Sequence, residues 1–435
     1  MSRTVIALVA LLTFLPASMR AQDMESTPNT MAIVEQISEA LDEVYVFPEV
    51  ARQMNELMRQ HLDRGAYRDL DLPTLAAKLT EDLQSISRDR HLSVRPVPPQ
   101  DTGTEPQDLE AQQQRFLDNA RRQNYGFTRV EILQGNVGYL DLRGFFDAGY
   151  GGAAAVAAMN FLASADALII DLRNNGGGSP SMIQLITSYF FEQRQHLNSF
   201  YVRRNDSTRQ FFTQEHVQGP KMIDTPIWVL TSGRTFSAAE EFTYNLKHME
   251  RAQVVGEVTG GGAHPVEDFT MAEHGLRMSL PFGRAINPIT GTNWEGTGVM
   301  PDTNVPADNA LAVAHRQALE KLAEAAESPD RKFQLEWAVD GLAAEETPFE
   351  LSPLKVGDYP GTYGPRRVWL EDGVLTYQRG QGREYQLAAM DDDLFRLINM
   401  DTFRIRFERD DKGKVTTLVG LYDNGTEEPS ERTSD

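Results

Sequence analysis

The residue types best suited to chemistry crowd between Asp171 and Asp302 of a 435-residue chain. Ser237 lies in the run Thr231-Ser232-Gly233-Arg234-Thr235-Phe236-Ser237-Ala238-Ala239-Glu240-Glu241-Phe242, where an apolar strand pattern ends, a turn follows and small residues open a helical pattern. A serine there sets its Oγ beside free helix N–H groups and the positive end of the helix dipole. That suits a nucleophile whose intermediate carries negative charge on oxygen. The same serine fits an ordinary N-cap, with Glu240 three residues on completing a capping box. Spacing alone leaves both readings standing.

Three further segments share this small, polar, glycine-rich character. Asp171-Leu172-Arg173-Asn174-Asn175-Gly176-Gly177-Gly178 follows a buried strand pattern, and its glycines let backbone N–H groups face an anion. Without Gly-x-Gly-x-x-Gly spacing or a Walker lysine, it does not read as a nucleotide site. The others are Gly256-Glu257-Val258-Thr259-Gly260-Gly261-Gly262-Ala263-His264-Pro265 and the run from Asn287 to Asp302, which contains Trp294-Glu295-Gly296. No HExxH or paired-carboxylate metal pattern occurs, so neither metal nor cofactor is expected. Gly-x-Ser-x-Gly is missing and Ser-x-x-Lys occurs only at Ser352 and Lys355, which weakens two other serine-hydrolase readings.

These loops need a scaffold, and strand and helix patterns alternate through residues 125–326. Strands are expected over 128–133, 137–142, 167–172, 227–231, 254–258 and 276–280. Helices are expected over 151–163, 181–191, 237–247 and 309–324. Short apolar strands between helices predict an α/β core with parallel strands. Ahead of it, residues 28–96 read as a helical domain, with Ile33, Ile37, Leu41 and Tyr45 at i, i+4 spacing. Residues 97–124 read as a polar linker. Residues 345–430 alternate as short strands with turns at Asp372-Gly373 and Lys412-Gly413, an antiparallel β domain.

Residues 1–21 carry a short basic start and an apolar run from Val5 to Leu15, followed by Pro16, Ala17, Ser18 and Ala21. Eleven helical residues span about 16 Å against a bilayer core of about 30 Å. The segment is therefore expected to be a cleaved export signal, giving a periplasmic or secreted product without stable membrane insertion. A formal charge of −21 argues against a nucleic-acid partner. With no cysteine, disulfides, thiolate metal sites and a cysteine nucleophile are excluded.

The four segments in this order resemble the tail-specific protease family of serine peptidases, family S41, in the branch of the tricorn core and the interphotoreceptor retinoid-binding protein repeats. The resemblance covers roughly residues 31–326. It implies a ClpP/crotonase-like ββα core behind an N-terminal helical bundle, and a hydrolase acting on peptides or unfolded protein segments as a serine endopeptidase. Ser237 matches the family's nucleophile. The carboxy-terminal processing branch places a lysine base about 25 residues downstream, but position 262 is glycine here. The tricorn-like branch uses a histidine in an Asp-x-His segment, matched by Asp89-Arg90-His91, and a glutamate matched by Glu295. The resemblance thus implies His91 as base, with Glu295 orienting it directly or through an intermediate group. Backbone N–H groups at Gly177 or Gly178 and at Ala238 would form the oxyanion hole. His264, in the glycine loop, is the rival base. The tricorn-like serine before the histidine is replaced by Arg90. Glu240 and Glu241 read as capping and structural groups, and the remaining histidines as surface groups. The stretch between Arg95 and Tyr125 is too short for the PDZ domain of the processing proteases. The alternative function is a non-catalytic carrier of hydrophobic ligands or peptides on the same scaffold. Oligomeric state cannot be read from these patterns.

Overall fold

A computed structural model describes residues 29–97 and 106–434, so the export segment expected at residues 1–21 lies outside the described residues. Three helices come first: α1 (Thr30–Val44), α2 (Pro48–Asp63) and α3 (Leu72–Ser87). Ile33, Ile37 and Leu41 form the buried stripe of α1, as their spacing demands. Asp71 caps α3 by accepting the Thr74 N–H at 2.8 Å, and Arg88 ends the helix in the left-handed conformation at φ 57°. That single turn throws Asp89, Arg90 and His91 out of the helical layer. Strand β1 (Ser93–Pro96) follows at once, then α4 (Pro106–Arg122), a helix inside the polar linker.

The core continues with β2 (Phe127–Leu133), β3 (Val137–Leu142), α5 (Ala148–Leu162), β4 (Ala167–Asp171), α6 (Pro180–Thr187), β5 (His196–Val202) and β6 (Ser207–Phe212). Next come β7 (Ile227–Thr231), α7 (Ala238–His248), β8 (Ala252–Gly256), β9 (Val266–Met271), β10 (Leu276–Pro281), β11 (Gly283–Ile286) and β12 (Thr303–Asn304). Helices α8 (Ala310–Ala325) and α9 (Pro329–Glu346) close it. The main sheet has the order β12-β8-β7-β4-β3-β2, parallel except for β2. One face packs on α5, α6 and α7 through residues such as Leu140, Ile170 and Phe242. The other packs on α8 and α9 through Ile169, Trp228 and Leu319. Covered on both faces, β3, β4 and β7 are buried along their whole length, which explains why they are mostly apolar.

Two smaller sheets complete the core, β11-β5-β6 and β1-β10-β9. The second stitches the helical layer to the core: Ser93 pairs with Ser279 and Pro96 with Leu276, while Leu276, Met278 and Leu280 enter the core of the helices. Between β1 and β2 the described residues hold α4 and no sheet domain. The C-terminal region closes into an eight-stranded antiparallel barrel: β13 (Gly361–Tyr363), β14 (Arg366–Glu371), β15 (Val374–Arg379), β16 (Glu384–Ala389), β17 (Leu394–Leu397), β18 (Met400–Arg409), β19 (Val415–Tyr422) and β20 (Glu427–Ser434). Among the described residues no helix is long and apolar enough to cross a membrane.

Candidate active site

Ser237 stands between β7 and α7 with φ 55° and ψ −121°, a conformation an L-residue avoids. Holding it costs on the order of 1–3 kcal/mol, so its surroundings must impose it. The Ser237 N–H donates to Glu240 Oε2 at 2.8 Å, and the Phe236 N–H donates to the Asn175 carbonyl at 3.1 Å. Gly177, itself at φ +109°, packs so tightly that a Cβ on it would lie 2.8 Å from the Ser237 Cβ. A strand, a strained turn and a helix thus present the serine at the end of the sheet, the architecture of a nucleophile elbow.

Glu240 does more than cap. Its fully buried carboxylate also accepts the Thr259 hydroxyl at 2.5 Å and the N–H groups of Gly261 and Gly262 at 2.6 and 2.9 Å. Burial pushes its carboxyl above the usual range, although all of these bonds pull it down. The result is a clasp between the start of α7 and the glycine loop.

The expected oxyanion donors divide. The Gly177 N–H is taken by Asn175 Oδ1 at 2.9 Å, so Gly177 is corrected to a structural glycine. Gly178 and Ala238 line a cavity of about 500 Å³ together with Ser237, His264, Glu241 and Trp294. Among the described residues no backbone or side-chain acceptor engages either N–H, which leaves the pair available to an oxyanion.

Behind the cavity, Asp89 is a hub, only 1% exposed. Its Oδ1 accepts the His91 N–H at 3.0 Å, and its Oδ2 accepts from His264 Nδ1 at 2.6 Å and from the Tyr45 hydroxyl at 3.5 Å. Glu295 Oε2 lies 3.5 Å from the same His264 Nδ1 and accepts the Ala263 N–H at 2.6 Å, while Glu295 Oε1 is buried without a partner. Burial pulls the His264 pKa down, but the Asp89 hydrogen bond and the Asp89 and Glu295 charges outweigh it and hold it above the ordinary histidine value. Burial and the neighbouring Asp89 charge raise Glu295.

His91 is placed differently. Its ring lies against Phe236 with centroids 4.5 Å apart, and its Nδ1 is buried without a hydrogen-bond partner. Burial pushes its pKa down to about 4, against the pull of Asp89. The expected orientation of His91 by Glu295 is therefore absent from this geometry: Glu295 sits at His264, held there by the Ala263 amide. His91 nonetheless occupies telling space, its Cε1 2.7 Å from where a Cβ on Gly262 would stand. Arg90 Nη1 donates to the Gly260 carbonyl at 2.6 Å, tying the helical layer to the glycine loop.

Asp89, His264 and Glu295 present ligand atoms within 4.8 Å of one another, enough for a cation. Two ligands on one tetrahedral zinc stand about 3.3 Å apart. The 2.6 Å separation of His264 Nδ1 from Asp89 Oδ2 is that of a hydrogen bond. Sequence reasoning missed Asp89 as an orienting group, because it read the Asp-x-His segment through its histidine. Nor is every other histidine on the surface: His315 is buried and its Nε2 bonds the Gln134 carbonyl at 2.8 Å.

A family model described as peptidase family S41 matches residues 136–305. A model of the N-terminal domain of that family in eukaryotic IRBP matches residues 23–124. Among solved structures, the chain is similar to a Parabacteroides merdae protein described as a peptidase (19% identity, 69% of this chain and 99% of that one, TM-score 0.49). It is also similar to a photosystem II D1 C-terminal processing protease (16% identity, 64% and 94%, TM-score 0.42). The tricorn protease matches at 12% identity over 72% of this chain and 37% of its own, with a TM-score of 0.40.

Proposed function

Because the chain belongs to peptidase family S41, we propose that it is a serine endopeptidase that cleaves peptides by acyl transfer through Ser237. One observation carries this reading. Ser237 shares its cavity with an imidazole, His264, whose Nδ1 is held by the buried Asp89 carboxylate. That is the logic of a nucleophile, a base and an orienting acid, recognised by geometry rather than sequence order. His264 takes the Ser237 proton as Oγ attacks the scissile carbonyl, then returns it to the leaving amine as the acyl-enzyme forms. The Gly178 and Ala238 N–H groups receive the developing oxyanion. Water then attacks the ester, with His264 again removing a proton, and the acid product and free Ser237 are released. Glu295, beside the same imidazole, supports its charged form.

A second assignment of the base has its own support. His91 fills the space beside Gly262, the position that holds a lysine in the processing branch. Alanine substitutions separate the two. Ser237→Ala should abolish hydrolysis of a fluorogenic peptide, and His264→Ala should lower kcat by about 10²–10⁴, with His91→Ala milder. A dead His91→Ala beside an active His264→Ala would move the base to the helical layer. Normal turnover in Ser237→Ala would remove the peptidase mechanism itself. Export is part of the proposal, since residues 1–21 read as a signal, and detection of the processed chain outside the cytoplasm tests it.

A further inference from the structure

One buried acid at the site has no task in this mechanism. Glu241 follows Ser237 by four residues, in the first turn of α7. It lines the same cavity, yet it is only 3% exposed. Among the described residues no cation acts on it: burial dominates its environment, and the one polar side chain felt by its carboxyl is Asn198. Asn198 is held from behind, its Oδ1 accepting the N–H groups of Ser199 and Ile286 at 2.9 and 3.2 Å. Its buried Nδ2 is left without a hydrogen-bond partner of ordinary geometry. Burial pushes that carboxyl up to about 7, and a cation entering the cavity it lines would favour its charged form.

The walls say what could enter. Phe200 and Phe211, with centroids 4.8 Å apart, line the cavity together with Trp294, Phe282 and Pro265, an apolar wall shared with the acid. Aromatic faces accept the methylene stem of a long basic side chain and attract its charged head. Arg209, the one lysine or arginine in the lining, is exposed and stacked over Phe211 at 5.0 Å. Asp147, also in the lining, adds negative charge.

We propose that this cavity receives the side chain on the acyl side of the scissile bond, and that Glu241 at its base selects lysine or arginine there. The inference rests on the reading of Ser237 as nucleophile and adds a substrate class to it. A peptide carrying leucine at that position leaves Glu241 buried and unpaired, which penalises it relative to lysine.

The test uses the whole chain and matched peptides with lysine, arginine, leucine or aspartate before the cleaved bond. The wild type should favour lysine or arginine over leucine in kcat/KM by on the order of 100-fold, and Glu241→Gln should collapse that ratio. Equal rates for lysine and leucine, or an unchanged ratio in folded Glu241→Gln, overturn the pocket and leave the peptidase reading intact. Benzamidine titrated calorimetrically into wild type and Ser237→Ala gives a readout free of catalysis. Binding lost in Glu241→Gln supports the cation pocket even if no peptide is cleaved, an outcome that would sink the peptidase reading instead. No benzamidine binding to the wild type counts against the pocket.

Discussion

The corner of the core around Ser237 and the C-terminal barrel treat the same problems in opposite ways. In the barrel, buried charge is paired: Arg366, 2% exposed at its side chain, reaches Glu428 at 2.6 Å, and Arg409 meets Asp393 and Asp358 at 2.9 and 2.7 Å. Its left-handed non-glycine residues, Asp372 and Asn399, sit at turns between strands, where such a conformation is at home. Around Ser237 the left-handed residue is the serine itself, Glu241 has no cation, and buried atoms of His91 and Glu295 lack partners. The barrel leaves single Nε atoms of Arg366 and Arg396 without a hydrogen bond but pairs each of these charges with a carboxylate, whereas around Ser237 a strained backbone, an acid without a cation and unpartnered atoms gather in one place. Broken rules that gather in one place mark function rather than poor packing.

Four measurements test this contrast. Asp89→Asn should cause the largest loss, about 10²–10⁴ in kcat. Both Asp89 oxygens accept N–H groups, so the amide must turn its NH2 toward one of them; facing His264 it favours the wrong tautomer, and its neutral group does not stabilise the imidazolium. If Asp89 were only a turn residue supporting His91 through its backbone, the loss would be slight and confined to stability.

The pH profile of kcat/KM comes next. The base must be neutral, so activity rises as it loses its proton. With His264 as base, the acidic limb should reach half-height above 6.5, the ordinary histidine value, because Asp89 and Glu295 hold its proton. With His91, burial places that limb near 4. A limb near 4 would shift the assignment to His91.

Arg366→Met probes the other region. It removes bonds to Glu428 and Ser430, and should lower stability by about 1 kcal/mol in urea unfolding while kcat/KM stays the same. A parallel fall in kcat/KM would show that the barrel supports the site. Smallest is Ser237→Gly, inactive but more stable by up to about 1 kcal/mol, because glycine accepts the positive φ. Lower thermal stability in this variant would mean that the serine conformation carries no strain.

Much of this arrangement was legible in the chain. The i, i+4 stripe of α1 and the apolar runs of β3, β4 and β7 follow from burial on one side and on both sides. Ser237 stood out because small residues and a helix start surround it. Helix α9 escaped notice: charged residues interrupt its apolar ones, and it buries little beyond Leu335, Trp337 and Ala338. The bond from Asp89 to His264 spans 175 residues and leaves no local trace. The Asn175 side chain that takes the Gly177 amide likewise depends on a turn geometry that glycine composition does not reveal. Glu241 read as structural because a helix position alone does not say what lies beside it.

Strand β1 has a consequence for safety. The serine, the glycine loop and the oxyanion donors all belong to the core, but Asp89 arrives from the helical layer on the short link between α3 and β1. In the mechanism proposed above, a core whose helical layer has come away would keep its serine but lose the Asp89 carboxylate that aligns the imidazole. On the proposed mechanism, hydrolysis would therefore depend on the junction that β1–β10 pairing and the Arg90 bond to Gly260 hold together. A copy that is half folded, or whose helical layer has peeled away, would then be chemically quiet toward its neighbours.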